Sequence, residues 1–409
     1  MKKPTRTRLA FFAVGIVILT VLSVLGGACS SKPEATPTPT RTPRPTEAPP
    51  TATALPTQAP PTDPPTAEPS QTPTPKPTAT PAATLTPTLD PNVIVPARDP
   101  MISPLTGMRP ADPSVLERRP LAVKIPNEQA AIPQTGLGEA DVVVESRVEF
   151  CMTRYTAIFQ SQDVPRLGNI RSARLIDVEL PVIFDAVLAF SGSVEPVRQK
   201  LYQSDIGDHI LEQALNGPSF FRDPNIPVPH NLFASTATVW SILAQKGWNK
   251  RPAPAAGWVF SEAVPPGGSA AHRVDVPYPE YKVAWTYDAG SGRWQRSMNG
   301  QPHVDKADGK PLTAADVIVL GANHVPTLIP EHGEELTDGP CSNRSVEIQL
   351  WGEGPVTILR DGQVYEGKWL RPERHAPFRF VDAGGSDIPL KPGNSWWQVV
   401  PLDMEVKIS

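Results

Sequence analysis

Past residue 28 the sequence has no block of lysine or arginine, which argues against a nucleic-acid partner, since that needs a basic face. The 409 residues carry a formal charge of −4, and loss of Lys2, Lys3, Arg6 and Arg8 with a cleaved leader takes this to −8. There is no Gly-x-Ser-x-Gly, no His-Glu-x-x-His, no P-loop and no Gly-x-Gly-x-x-Gly, so the motifs of serine hydrolases, zinc proteases and nucleotide binders are missing. No cofactor is expected. Cysteine is scarce too, with only Cys29, Cys151 and Cys341. If Cys29 is lipidated, the remaining pair permits one disulfide in an exported protein. The other reading is two separate buried thiols, and Cys151, in an apolar setting, fits it.

What the chain has in excess is proline, 52 residues, concentrated before residue 100. Ahead of that stretch lie a basic end (Lys2 to Arg8), an uncharged run from Leu9, and the small residues Gly26, Gly27 and Ala28 before Cys29. These are the parts of a secretory signal, residues 1–28, and the cysteine placement is that of a lipoprotein whose thiol accepts a diacylglycerol. An uncleaved membrane helix is the other reading, because about 20 apolar residues span a bilayer. Either way the body is expected on the outer face of the cytoplasmic membrane or at the cell surface. Residues 29–96 then repeat Thr-Pro and Ala-Pro units with almost no large apolar side chains. Such a segment cannot offset chain entropy by burial and is expected to be a disordered stalk. At roughly 3.1 Å per residue, ~60 residues of polyproline II reach no further than about 190 Å.

The remaining ~310 residues are long enough to bury a core without metal or disulfide staples. Leu121–Ile125, Ala140–Val144 and Tyr155–Phe159 predict strands, Ile176–Phe184 a helix, and Ala186–Phe190 a further strand. Val194–Tyr202 and Ala237–Lys246 predict amphipathic helices, the second stopped by Gly247. Residues 99–250 therefore predict an α/β-type domain. After the Pro/Gly cluster at 251–257 the texture changes. Lys282–Tyr287 with Arg293–Met298, and Val356–Arg360 with Val364–Trp369 around Asp361-Gly362, predict hairpins, and Trp396–Val400 a late strand. Residues 257–409 predict a mainly β domain, so the fold class expected is α+β.

Several motifs then occur in order: Pro104-Leu105-Thr106-Gly107, Arg119-Pro120-Leu121-Ala122-Val123, Pro133-Gln134-Thr135-Gly136-Leu137, Ala140-Asp141, Thr153-Arg154, Phe159-Gln160-Ser161 and Arg171-Ser172-Ala173-Arg174. Pro229-His230-Asn231-Leu232, Gly300 to Asp305, Gly367-Lys368-Trp369, and Pro392-Gly393 with Trp396 follow. This order, over nearly all of residues 100–402, resembles the YerB-like bacterial lipoproteins. The resemblance implies an exported lipoprotein with an N-terminal and a C-terminal family domain, and implies no reaction. Two departures stand out. Asn127-Glu128 replaces a common Asn-His, and Glu149-Phe150-Cys151 replaces a common Glu-Gly-Gly.

Candidate chemistry rests on a few side chains. Arg171 and Arg174, with Ser172 opening a helix, would make an anion site; the competing role is ion pairing with Asp141, Glu145 or Glu149. His230 and Asn231 sit on a proline-stiffened loop, as a general base with its neighbour or as a pair fixing the loop. His303 and Asp305, if on a strand, share a face as a base with its orienting carboxylate, or lie in a solvated turn. His324 and His332 could extend them to a metal shell, although no metal site is expected. Trp351, Trp369, Trp396 and Trp397 are either a sugar-stacking platform or core. The expected function is a binding or scaffolding lipoprotein of the cell envelope, with an anionic wall polymer or envelope protein as partner. The alternative is a hydrolase or transferase acting on envelope glycan or peptide.

Overall fold

Alternation of side chains along three neighbouring strands sets up the fold. The computed structural model describes residues 99–250, 257–376 and 378–409; the expected leader, Cys29 and the Pro/Thr stalk lie outside them. In β1 (Leu121–Pro126), Leu121, Val123 and Ile125 serve one core and Ala122 the other. In β2 (Val142–Arg147) and β3 (Thr153–Phe159), Val143, Tyr155, Ala157 and Phe159 join the first core, and Val142, Val144 and Ile158 the second. Both faces are covered, which is why these segments read as near-continuous apolar runs.

The other principal strands are β4 (Val187–Phe190), β5 (Ile210–Glu212), β6 (Arg273–Pro277), β7 (Lys282–Asp288), β8 (Arg293–Met298), β9 (Asp316–Pro330), β10 (Arg344–Gln349), β11 (Gly352–Arg360), β12 (Gln363–Arg371), β13 (Arg379–Val381) and β14 (Ser395–Pro401). A twelve-stranded sheet runs β13-β12-β11-β9-β14-β2-β3-β1-β4-β5, with β10 beside β9 and Ser269–Ala270 beside β12. β14 is parallel to both β9 and β2, so that Trp396 is in register with Val317 on one side and Val143 on the other. Strands from both sides of the composition change at 251–257 thus pair edge to edge in one mixed sheet.

A six-stranded sheet built on β6, β7 and β8 supplies Trp285 and Trp294 to the first core, where Trp396 meets Tyr155 edge-on at 5.4 Å. The second core takes Leu180, Ile183 and Phe184 of α1 (Leu180–Phe184), Val197 and Leu201 of α2 (Glu195–Gln203), and Trp258, Phe378 and Trp397. α3 (Thr236–Gln245) presents Val239, Trp240 and Leu243 to the first core. Three short α-helices among the described residues make the first segment less helical than an α/β domain: strands in mixed sheets dominate. The helix expected over 176–184 divides into a 3-10 turn, Leu175–Val178, and α1, with Pro181 at the break supplying no N–H. No described helix is long and apolar enough to cross a membrane. Trp369, Trp396 and Trp397 are buried while Trp351 is exposed, so the four form no stacking platform.

Candidate functional site

β1 and β2 end, and β3 begins, at the same end of these central strands: Arg154 is in register with Pro126 on one side and Ser146 on the other. Here polar side chains replace apolar ones on both faces. On the first face Asn127 Nδ2 donates to Thr153 Oγ1 at 2.7 Å, and Thr153 Oγ1 donates to Glu145 Oε1 at 2.8 Å. Glu145 Oε2 takes Arg296 Nη2 at 2.8 Å. Arg296 Nη1 lies 2.7 Å from His303 Nδ1, and His303 Nε2 lies 2.7 Å from Gln134 Oε1. Because guanidinium only donates, Nδ1 is the acceptor and Nε2 carries the proton. Burial, then the Arg296 charge, hold the His303 pKa well below the ordinary histidine value. With its one lone pair engaged by Arg296, His303 is a neutral structural imidazole.

On the second face Lys124 Nζ meets Asp177 Oδ2 at 2.9 Å and Thr156 Oγ1 at 3.0 Å. Beyond it Glu149 Oε2 accepts from Arg174 Nε at 2.7 Å, while Glu149 Oε1 takes Arg174 Nη2 and, at 3.3 Å, Arg154 Nη2. Burial pushes the Glu149 carboxyl up, but the Arg174 hydrogen bond and charge together with Arg154 outweigh it, leaving a pKa of about 2. Arg154, buried and beside Arg174, falls to about 10. Arg174 Nε also faces Glu331 Oε2 at 3.2 Å, and Ser345 Oγ donates to Glu331 Oε1 at 2.6 Å.

The network reaches solvent along a ledge. Arg171 Nη2 lies 3.1 Å from Glu128 Oε1, His230 Nε2 lies 3.7 Å from Glu128 Oε2, and His332 Nε2 lies 3.6 Å from Glu149 Oε1. Glu128 and Arg171 are partly exposed and His332 largely so. Three guanidiniums, Arg154, Arg171 and Arg174, face three carboxylates, Glu128, Glu149 and Glu331. The loop carrying Glu331 and His332 is held down by a disulfide between Cys151 and Cys341, with Cα atoms 4.7 Å apart, and by Phe150 N donating to Ser342 O at 2.9 Å. Phe150 and Cys151 occupy the left-handed region, φ +55° and +60°, that favours glycine.

The structure thus brings Arg171, Arg174 and His230 together, each beside a glutamate. Ser172 opens no helix: residues 169–174 form no regular element, and the extended Arg174 donates its N–H to Asp177 Oδ2 at 2.7 Å ahead of the 3-10 turn. Asn231 Oδ1 accepts from Arg222 Nη1 at 2.7 Å and fixes its own loop. His230 Nδ1 is buried without a hydrogen-bond partner among the described residues. His303 and Asp305 do not face each other; Asp305 accepts the N–H groups of Gly136, Gly138 and Ala307 at 2.9, 2.8 and 2.8 Å. His324 is half-buried, with its pKa lowered to about 4 by desolvation, away from any metal grouping: no cluster of three or more potential ligands occurs among the described residues. Sequence reading did not single out Lys124 or Glu331, and quoted Arg154 and Glu128 within motifs without assigning them to a site. The signal available was a charge inside an apolar run, as in Leu121–Ile125 and Thr153–Phe159.

Comparison with known proteins fits this architecture. The chain is 30% identical over 303 residues to "Putative lipoprotein YerB" of Bacillus subtilis (strain 168), covering 73% of this chain and 86% of that protein. The crystal structure of YerB from Bacillus subtilis matches with a TM-score of 0.63 at 28% identity, over 75% of this chain and 99% of that one. Models of the N-terminal and C-terminal domains of a protein of unknown function, DUF3048, match residues 105–249 and 274–397. With both domains matched in order and a relative aligned along most of its length, the chain belongs to the DUF3048 family, the family of YerB.

Proposed function

We propose that this protein is a membrane-anchored lipoprotein of the cell envelope that binds an envelope polymer through the ledge of Glu128, Arg171, His230 and His332. One observation carries the reading: the Arg171–Glu128 pair, with His332, is the solvent-facing part of an ion network whose other members, Arg154, Arg174, Glu149 and Glu331, are buried. Such a pair, fixed from behind, offers a carboxylate-seeking and an ammonium-seeking group side by side. That chemistry suits the peptide part of a wall polymer, which presents both. The lipoprotein description of the Bacillus subtilis relative and the Cys29 leader support the anchor.

Turnover is the weaker reading. A general base needs a free lone pair and an orienting partner. Arg296 takes the lone pair of His303, and the Nδ1 of His230 has no orienting partner among the described residues. The test is retention of the detergent-solubilised full chain on isolated wall sacculi. Arg171→Ala and Glu128→Gln should each lower retention about tenfold, the scale of one charge-assisted contact. Removal of wall peptides should abolish it. Retention unchanged in both variants would end this assignment.

A further inference from the structure

We infer that a second binding site, for a small molecule bearing a carboxylate or phosphate, lies in a cleft of about 290 Å³ formed by loop 106–111, turn 138–141, residues 161–162, Arg293 and residues 393–394. The cleft shares no residue with the ledge, so this site stands independently of the proposed polymer-binding role.

Arg293 sets the chemistry. Its Nε donates to Thr313 Oγ1 at 2.9 Å, and its Nη2 to Thr313 O at 3.4 Å and to Asn394 Oδ1. Every one of these acceptors is neutral, and no carboxylate among the described residues lies within ion-pair distance of it. The acidic influence on it is that of Asp316. Burial pushes that carboxyl up to about 8, which weakens its hold on the guanidinium. Arg293 Nη1 has no hydrogen-bond partner among the described residues and sits beside Gly393, where a Cβ would lie 3.7 Å from it. A half-buried cation with open donors facing a cleft selects an anionic oxygen group.

The opposite wall fixes the rest. Asp141 is already saturated: Ser161 Oγ and the N–H groups of Gln160 and Ser161 all bind its carboxylate. Glu139 is exposed on the same turn and suits a hydroxyl or ammonium donor. At the mouth Arg109 is held only by a surface pair with Asp99 at 3.2 Å, weak enough to turn toward a ligand. The volume is at the lower end for small-molecule sites, which limits the occupant to roughly a monosaccharide or amino acid. The occupant is therefore a hydroxyl- or amine-rich small molecule with one anionic head, either a carboxylate or a phosphate.

Titration calorimetry on the solubilised full chain tests this with four probes. N-acetylmuramic acid supplies the carboxylate and glucose 6-phosphate the phosphate; N-acetylglucosamine and glucose are their uncharged counterparts. At least one anion should bind about tenfold or more tightly than its uncharged counterpart, and the tighter anion identifies the head group. Arg293→Gln should remove about tenfold of that affinity. Ala111→Trp, which fills the cleft without breaking a side-chain hydrogen bond, should block binding, while Arg171→Ala should leave it intact. The site is ruled out if neither anion outbinds its counterpart, or if Arg293→Gln and Ala111→Trp both bind like wild type.

Discussion

Glu149 Oε1 is shared by two guanidiniums, Arg174 and Arg154, and the same carboxylate reaches His332 at 3.6 Å on the ledge. Removing the shared charge would leave two buried cations under-compensated, a loss of about 3–5 kcal/mol. Glu149→Gln should lower stability by that amount in urea unfolding at pH 7. The pH dependence follows from the lowered pKa, about 2 against 4.5 unfolded. This stabilisation is complete above pH 4.5 and lost between 4.5 and 2, amounting to about 3 kcal/mol. The variant should show no slope from this group in that window; an identical slope in wild type and variant would mean that Glu149 is not the group responsible.

Histidines act in a higher window. The His324 pKa is lowered to about 4 from 6.5, and that of His303 well below 6.5, so the unfolded chain takes up these protons first. Stability is therefore full above pH 6.5 and falls as pH drops toward 4, with His324 contributing about 3 kcal/mol. Proton NMR should show the His324 ring not titrating above pH 5. His324→Phe should flatten unfolding free energy between pH 6.5 and 4; a ring titrating near 6.5 would contradict the burial argument.

The two cysteines are 190 residues apart in sequence, and their bond closes the loop of 331–343 over Arg174. Non-reducing peptide mapping should recover a fragment joining Cys151 to Cys341. The double variant Cys151→Ser, Cys341→Ser should lose roughly 2–5 kcal/mol and expose residues 333–340 to protease first. Two free thiols in denatured, unreduced protein would remove the clamp altogether.

Local pattern was legible where one strand or hairpin decides its own conformation. The apolar run at Leu121 became β1, and Asp361-Gly362 took the two left-handed conformations that a tight hairpin requires, φ +51° and +68°. What was not legible depends on distant partners. Nothing near Val143 announces that it will register with Trp396, so the merging of both segments into one sheet was invisible. The same holds for the ledge. Arg171 and Arg174 stand out as a motif, yet whether they bind anions depends on Glu128, Glu149 and Glu331, of which Glu331 arrives only through the cystine-clamped loop. His303 and Asp305 misled because sequence spacing on a presumed strand says nothing of Gln134 and Gly136, which claim them from across the fold.

Phe150 gives the last test. Its φ of +55° costs about 1–2 kcal/mol for a residue with a Cβ, and its ring is partly exposed, with His332 its aromatic neighbour at 5.5 Å. Phe150→Ala keeps the backbone strain and loses the ring contact, so it should destabilise by about 0.5–1 kcal/mol. Phe150→Gly loses the same contact but relieves the strain, offset in part by ~0.5–1 kcal/mol of added unfolded-chain entropy. Glycine should therefore match or exceed alanine here, reversing their usual order in regular structure. Urea midpoints of the two variants at pH 7 decide it. Alanine clearly more stable than glycine would show that the left-handed turn beside Glu149 is not the conformation held in solution.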